Sequence, residues 1–193
     1  MGKLIWWIYV QPLKNIILTM LVLPIVWTAL HQILRKHQRL WKAINTFTLI
    51  ISLVTIIYLT LYHRGESEYD VILTPFHSFI EAQIQPELYR SMLMNVFLFE
   101  PLGLSLSGLL PKKWYSLAIT VVVGMLFSIG IEAAQFYYGL GRCEVDDVIM
   151  NTLGCAIGAI PWFIVRSGLV EKCVELCHQP PDFRPFLSSN FRS

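Results

Sequence analysis

Apolar runs close to twenty residues long, separated by short polar connections, set the pattern of this chain. Five occur, at Ile16–Leu34, Ile44–Tyr62, Met92–Leu110, Trp114–Tyr138 and Val145–Val165. A helix rises about 1.5 Å per residue, so each run is long enough to cross a hydrocarbon core of about 30 Å. Pro24, Pro101 and Pro161 fall within or at the ends of these runs. Proline is tolerated there because neighbouring helices satisfy the carbonyls it frees. The pattern predicts an all-α integral membrane bundle of about five transmembrane helices, with the lipid bilayer as its surrounding partner.

The ends read differently. Residues 1–15 are too short to span, and Trp6, Trp7 and Tyr9 suit the membrane–water interface, where aromatic rings settle. No small-residue cleavage site follows, so the segment is expected to remain as an interfacial element. Residues 16–170 form the transmembrane domain. Residues 171–193 form a cytoplasmic tail, partly disordered from Pro180 onward, where periodicity is lost.

Composition supports lipid as the solvent. Of 193 residues, 55% are hydrophobic and only 15% charged, against about 25% charged in a soluble domain. The mean hydropathy is +0.56. A formal net charge of +2 with dispersed basic residues gives no reason to expect nucleic acid. Cys173, Cys177 and His178 are the one short metal-like string, but they lack a second ligand pair. Two cysteines on the buried stripe of a short tail helix is the better reading.

Basic residues set the orientation. Arg35, Lys36, Arg39, Lys42, Lys112, Lys113, Arg166, Lys172, Arg184 and Arg192 share one side, against Lys3, Lys14, Arg64, Arg90 and Arg142. The richer side is predicted to be cytoplasmic, with the N-terminus outside and the C-terminus inside. The long connection 63–91 then faces outward. Its acids Glu66, Glu68 and Asp70 read as a solvated surface, while Pro75 and Phe76 are placed either to dip into the interface or to pack over the helix ends.

Polar groups inside the runs carry the chemistry, because a charge at a helix centre costs about 2.5–3.5 kcal/mol on insertion scales and must face the bundle or a wet cavity. Asn95 and Glu100 lie in the third run. Ser128, Glu132 and Gln135 share one helical face in the fourth. Asp147, Asn151, Gly154 and Gly158 form a stripe in the fifth, with Glu144 and Asp146 at its start. Glu132 sits about 9 Å below the outer end of its run, at a depth similar to Asn151, so three helices supply one outer polar layer. The dull readings are helix capping for Asp146 and Asp147, interhelical packing for Asn95, Asn151 and the glycines, a pair with Arg90 or Arg142 or a protonated carboxyl bonded to Asn for Glu132, and a neutral, hydrogen-bonded carboxyl beside the Pro101 break for Glu100. The candidate ligand site is Arg90, Asn95, Glu100, Glu132, Gln135, Glu144, Asp147 and Asn151. A divalent cation is the one cofactor these oxygen ligands suggest, with Glu132, Glu144 and Asp147 as its ligands.

Three segments carry a family resemblance: 90–103 (RSMLMNVFLFEPLG), 132–136 (EAAQF) and 144–154 (EVDDVIMNTLG). Their order and spacing resemble the motifs of VanZ-like bacterial membrane proteins, and 73–76 (LTPF) resembles the Pro-Phe element before them. The resemblance covers residues 70–165. The chain departs from it at Glu100, where the family is usually apolar, at Glu144, where Asp is common, and at Arg142, one residue closer to the acids. The resemblance implies a multi-pass protein of the bacterial cytoplasmic membrane associated with resistance to the glycopeptide teicoplanin; it implies no reaction. Three functions are compatible with the residues. The favoured one is a non-enzymatic envelope protein that binds a lipid-linked cell-wall precursor or a glycopeptide-related ligand. The others are an enzyme acting on a lipid headgroup or wall precursor through carboxylates and a divalent ion, and a structural or partner-binding subunit.

Overall fold

The computed structural model describes residues 12–62, 70–111, 113, 115–166 and 168. The expected interfacial segment up to residue 11, the acids Glu66 and Glu68, and the tail with Cys173, Cys177 and His178 lie outside the described residues. Among the described residues, five helices are long and apolar enough to cross a membrane: α1 (Leu13–Ile33), α2 (Gln38–Ile57, extended by a π-helical turn at Tyr58–Tyr62), α4 (Glu87–Leu109), α5 (Ser116–Tyr138) and α6 (Val145–Arg166). These match the five predicted runs. The chain is a multi-pass membrane protein, and its rim of exposed Leu18, Leu21, Ile25, Phe47 and Val54 is the surface expected against lipid.

Helix ends follow local chemistry. Pro12 and Pro86 precede α1 and α4, where a missing amide N–H costs nothing. Gly139 closes α5 with φ 64°, a left-handed turn that glycine adopts without penalty. Leu140 N–H then donates to the Gln135 carbonyl at 2.9 Å and Gly139 N–H to Phe136 at 3.2 Å, the paired bonds of a Schellman ending.

Helices α4 and α6 form the centre. About half of each is buried, against 17% of α1 and α2. Three glycines set their approach. A Cβ at Gly154 would overlap the Val96 carbonyl, one at Gly158 the Glu100 carbonyl, and one at Gly103 the Cys155 carbonyl. The backbones therefore touch directly, which gives close packing in a solvent where apolar burial drives nothing. Two apolar clusters flank the seam: Ile16, Met20, Met92, Val96 and Met150, and Ile56, Phe99, Leu102, Ile131 and Cys155.

The connection 70–86 carries regular structure of its own. It holds β1 (Val71–Ile72) and a six-residue helix, α3 (His77–Ala82). β1 pairs in parallel with β2 (Cys143–Glu144), the residues just before α6, and Cys143 N–H donates to the Asp70 carbonyl at 3.0 Å. This short pairing fixes two connections to each other at one end of the bundle. The opposite end holds an aromatic group, with His31 edge-on to Trp41 and Trp162 at 5.0 and 4.7 Å.

Candidate functional site

The end where α2 and α5 finish and α4 and α6 begin gathers most of the predicted polar residues. Asn95 Nδ2, two turns into α4, donates to Asp147 Oδ1 at 2.6 Å. Glu132 is nearly fully buried on α5, and its Oε2 accepts the Glu144 backbone N–H at 3.1 Å. Glu144 Oε2 in turn accepts from Ser78 Oγ at 3.0 Å. Asn151, one turn below Asp147 on α6, donates to Ser128 Oγ at 2.8 Å, and both side chains are buried. The face shared by Ser128, Glu132 and Gln135 is thus turned inward, as the spacing predicts.

One residue outside the predicted set also holds this end together. Asp146 is buried; its Oδ1 accepts the Phe76 N–H at 2.6 Å and its Oδ2 the Ser78 N–H at 2.7 Å. Helix α3 begins there, so the amides are its free N-terminal donors, and the carboxylate caps a different helix from its own. Phe76 takes φ 65°, a left-handed conformation that is uncommon for a non-glycine residue. The two bonds to Asp146 hold that turn. The capping expected of Asp146 is therefore real in kind, but directed at the connection rather than at α6. Ser78 was also missed, and no local spacing signal marks it.

Charge concentrates around Cys143. Its thiol is pushed above the ordinary cysteine value, first by burial and then by the carboxylates of Glu132, Asp147 and Glu144. Those three acids therefore act on one point in space. Among the described residues, however, no group of three His, Cys, Asp or Glu side chains is placed to hold one metal ion. Arg142 lies at the rim, 4.0 Å from both Asp70 and Glu81, in half-exposed pairs of the kind worth little in water.

Two predicted members differ from these in partner or in depth. Gln135 is fully buried and donates from Nε2 to the Thr60 carbonyl at 2.9 Å, within the π-helical turn that extends α2. It joins α5 to α2. Glu100 lies deeper, five residues past Asn95 on α4, with its carbonyl against Gly158 of α6. Arg90 lies in the first turn of α4, half-buried, at the same end as the acids.

A five-helix membrane bundle with an amide–carboxylate network at one end defines the class of this protein. Comparison with known proteins then places it: the VanZ/LLP1 family model matches residues 43–166, and the chain belongs to that family. The match takes in α2, which the motif resemblance over 70–165 leaves out. The chain is similar to Protein VanZ of Enterococcus faecium, with 30% identity over 134 residues, covering 61% of this chain and 72% of that protein. No solved structure matches.

Proposed function

We propose that this protein binds a lipid-linked or cell-wall-related ligand at its polar end and thereby influences glycopeptide susceptibility, teicoplanin in particular. The observation that carries the reading is the hydrogen-bonded layer that brings Asn95, Glu132, Glu144 and Asp147 together at one end of the bundle. Such a layer favours a ligand with a protonated amine or several hydrogen-bond donors. Beside it, Leu73, Phe76, Ile80 and Ile84 expose apolar surface on and around α3, which suits a ligand whose acyl part stays in the bilayer while its headgroup meets the acids. The link to teicoplanin comes from family membership. The basic-residue count supports an outward-facing polar end, and Glu66→Cys should then be labelled on intact cells by a membrane-impermeant thiol reagent.

The test is a teicoplanin susceptibility assay on cells expressing Glu132→Gln and Asp147→Asn, with membrane levels measured in parallel. The expected result is loss of the effect of the wild-type protein at unchanged levels. Wild-type behaviour from both variants would remove the carboxylates from the working groups. An effect that depends on a divalent ion would favour the enzyme reading, with Glu132, Glu144 and Asp147 as ligands after rearrangement.

A further inference from the structure

Glu100 is the most isolated acid of the described residues. Its side chain is fully buried near the middle of α4, and neither carboxyl oxygen has a hydrogen-bond partner. It takes no part in the network at the polar end. The Glu100 backbone lies on the α4–α6 seam, its carbonyl against Gly158, so no side chain from that point of α6 reaches over to meet it.

The surrounding helices present few ionisable groups. His31 of α1 is held edge-on between Trp41 and Trp162 near the other end. Glu132 of α5 is engaged with the Glu144 amide at the polar end. Cys155 of α6 turns its Sγ to the Thr120 carbonyl at 3.4 Å. The buried residues of α2 are Trp41, Asn45, Ser52 and Ile56, none of them charged. No ion pair joins any of these to Glu100 among the described residues.

An ionised carboxylate without a protein donor or a countercharge is strongly disfavoured inside a bundle. The neutral acid is not, and it brings an O–H donor of its own. Pro101 follows directly and has no amide N–H, so the Phe97 carbonyl one turn back lacks its helical donor. An acceptor therefore exists on the same helix within a turn of the acid. A packing role alone would be met by any neutral side chain of this size.

We propose that Glu100 is a proton-binding site within the membrane bundle, held as the neutral acid in this conformation and exchanging its proton when water reaches the middle of α4. The proposal is independent of the ligand reading at the polar end, since the two sites share no side chain.

A lipid-soluble carbodiimide tests it on the full-length protein in lipid nanodiscs. A buried protonated carboxyl passes its proton to a carbodiimide nitrogen while its oxygen attacks the central carbon. The resulting O-acylisourea rearranges to a stable N-acylurea that keeps every atom of the reagent. Dicyclohexylcarbodiimide at neutral pH should add its mass to the peptide carrying Glu100, and a water-soluble carbodiimide should not. Infrared difference spectra should show a protonated carboxyl C=O band that is missing in Glu100→Gln and fades reversibly toward strongly alkaline pH. Labelling that spares Glu100, a band absent at neutral pH, or a band unchanged across the whole pH range would each overturn the proposal. The labelling needs no variant, so it stands even where Glu100→Gln fails to fold.

Discussion

The carboxylate of Asp146 accepts the backbone amide of Ser78 at 2.7 Å across 68 residues of chain. With the companion bond to Phe76, it is the principal tie between the first residues of α6 and the connection that covers the polar end. Asp146→Ala leaves both amides without their acceptor, at about 1–3 kcal/mol for each that stays dry. The expected outcome is a lower thermal midpoint in detergent and faster proteolysis within residues 70–86. Asp146→Asn keeps one acceptor oxygen and should lose less.

Asn95 and Asp147 form a charge-assisted bond at 2.6 Å between α4 and α6. Bonds to charged groups contribute about 1.5–3 kcal/mol, and a double-mutant cycle of Asn95→Ala with Asp147→Ala should return a coupling in that range. A coupling near zero would mean that water substitutes freely and that this layer is open to solvent.

Glycine substitutions separate seam from surface. A Cβ at Gly154 or Gly158 meets backbone atoms of α4, which move only with the whole helix, whereas a Cβ at Gly130 meets nothing within 4 Å. Gly158→Ala should destabilise the bundle by about 1–3 kcal/mol, as overpacking does. Gly130→Ala should be neutral or mildly stabilising, because alanine favours helix over glycine by about 1 kcal/mol. Thermal unfolding of the two variants side by side checks the contrast.

The Cys143 thiol reports on the acids around it. Burial and then Glu132, Asp147 and Glu144 raise its pKa, so its thiolate fraction at neutral pH is below that of an unperturbed cysteine. The maleimide reaction should be slow at neutral pH, accelerate toward alkaline pH, and speed up at fixed pH in Glu132→Gln or Asp147→Asn. The linked effect on folding has a definite sign. The raised folded value contributes stability that is fully present below the unfolded thiol pKa and is lost as pH rises through the folded one.

Gln135→Leu tests the bond that joins α5 to the end of α2. The substitution keeps the volume but removes the donor to the Thr60 carbonyl. Interhelical hydrogen bonds in membranes contribute about 0.6–2 kcal/mol, and a loss of that size in an unfolding titration is expected. No loss would mean that Thr60 finds another donor.

The five helices were legible because lipid forces each spanning segment to be long, apolar and internally hydrogen-bonded. The faces were legible for a related reason. Within an apolar helix the few polar side chains must turn inward, so the spacing of Ser128, Glu132 and Gln135 was enough to place them on a buried face. Gly154 and Gly158 followed from the same stripe. What a stripe cannot specify is the partner. Gln135 reaches a carbonyl in a π-helical turn that no residue pattern announces, and Glu100 takes no part in the hydrogen bonds of the acids at the polar end. The six residues of α3 are too few to show a helical period, so the amides that Asp146 captures were invisible. Aspartates at a helix start read as caps of that helix; only the fold shows that Asp146 serves another.

The parallel pairing of Val71–Ile72 with Cys143–Glu144 has a consequence for biogenesis. The earlier strand leaves the ribosome long before the later one, with two membrane helices to be inserted between them. Until the chain has grown past Asp146, the 70–86 connection has neither its strand neighbour nor its carboxylate. Ordering of this cap is therefore a late step in synthesis, and a nascent chain arrested before residue 143 would carry it unfastened.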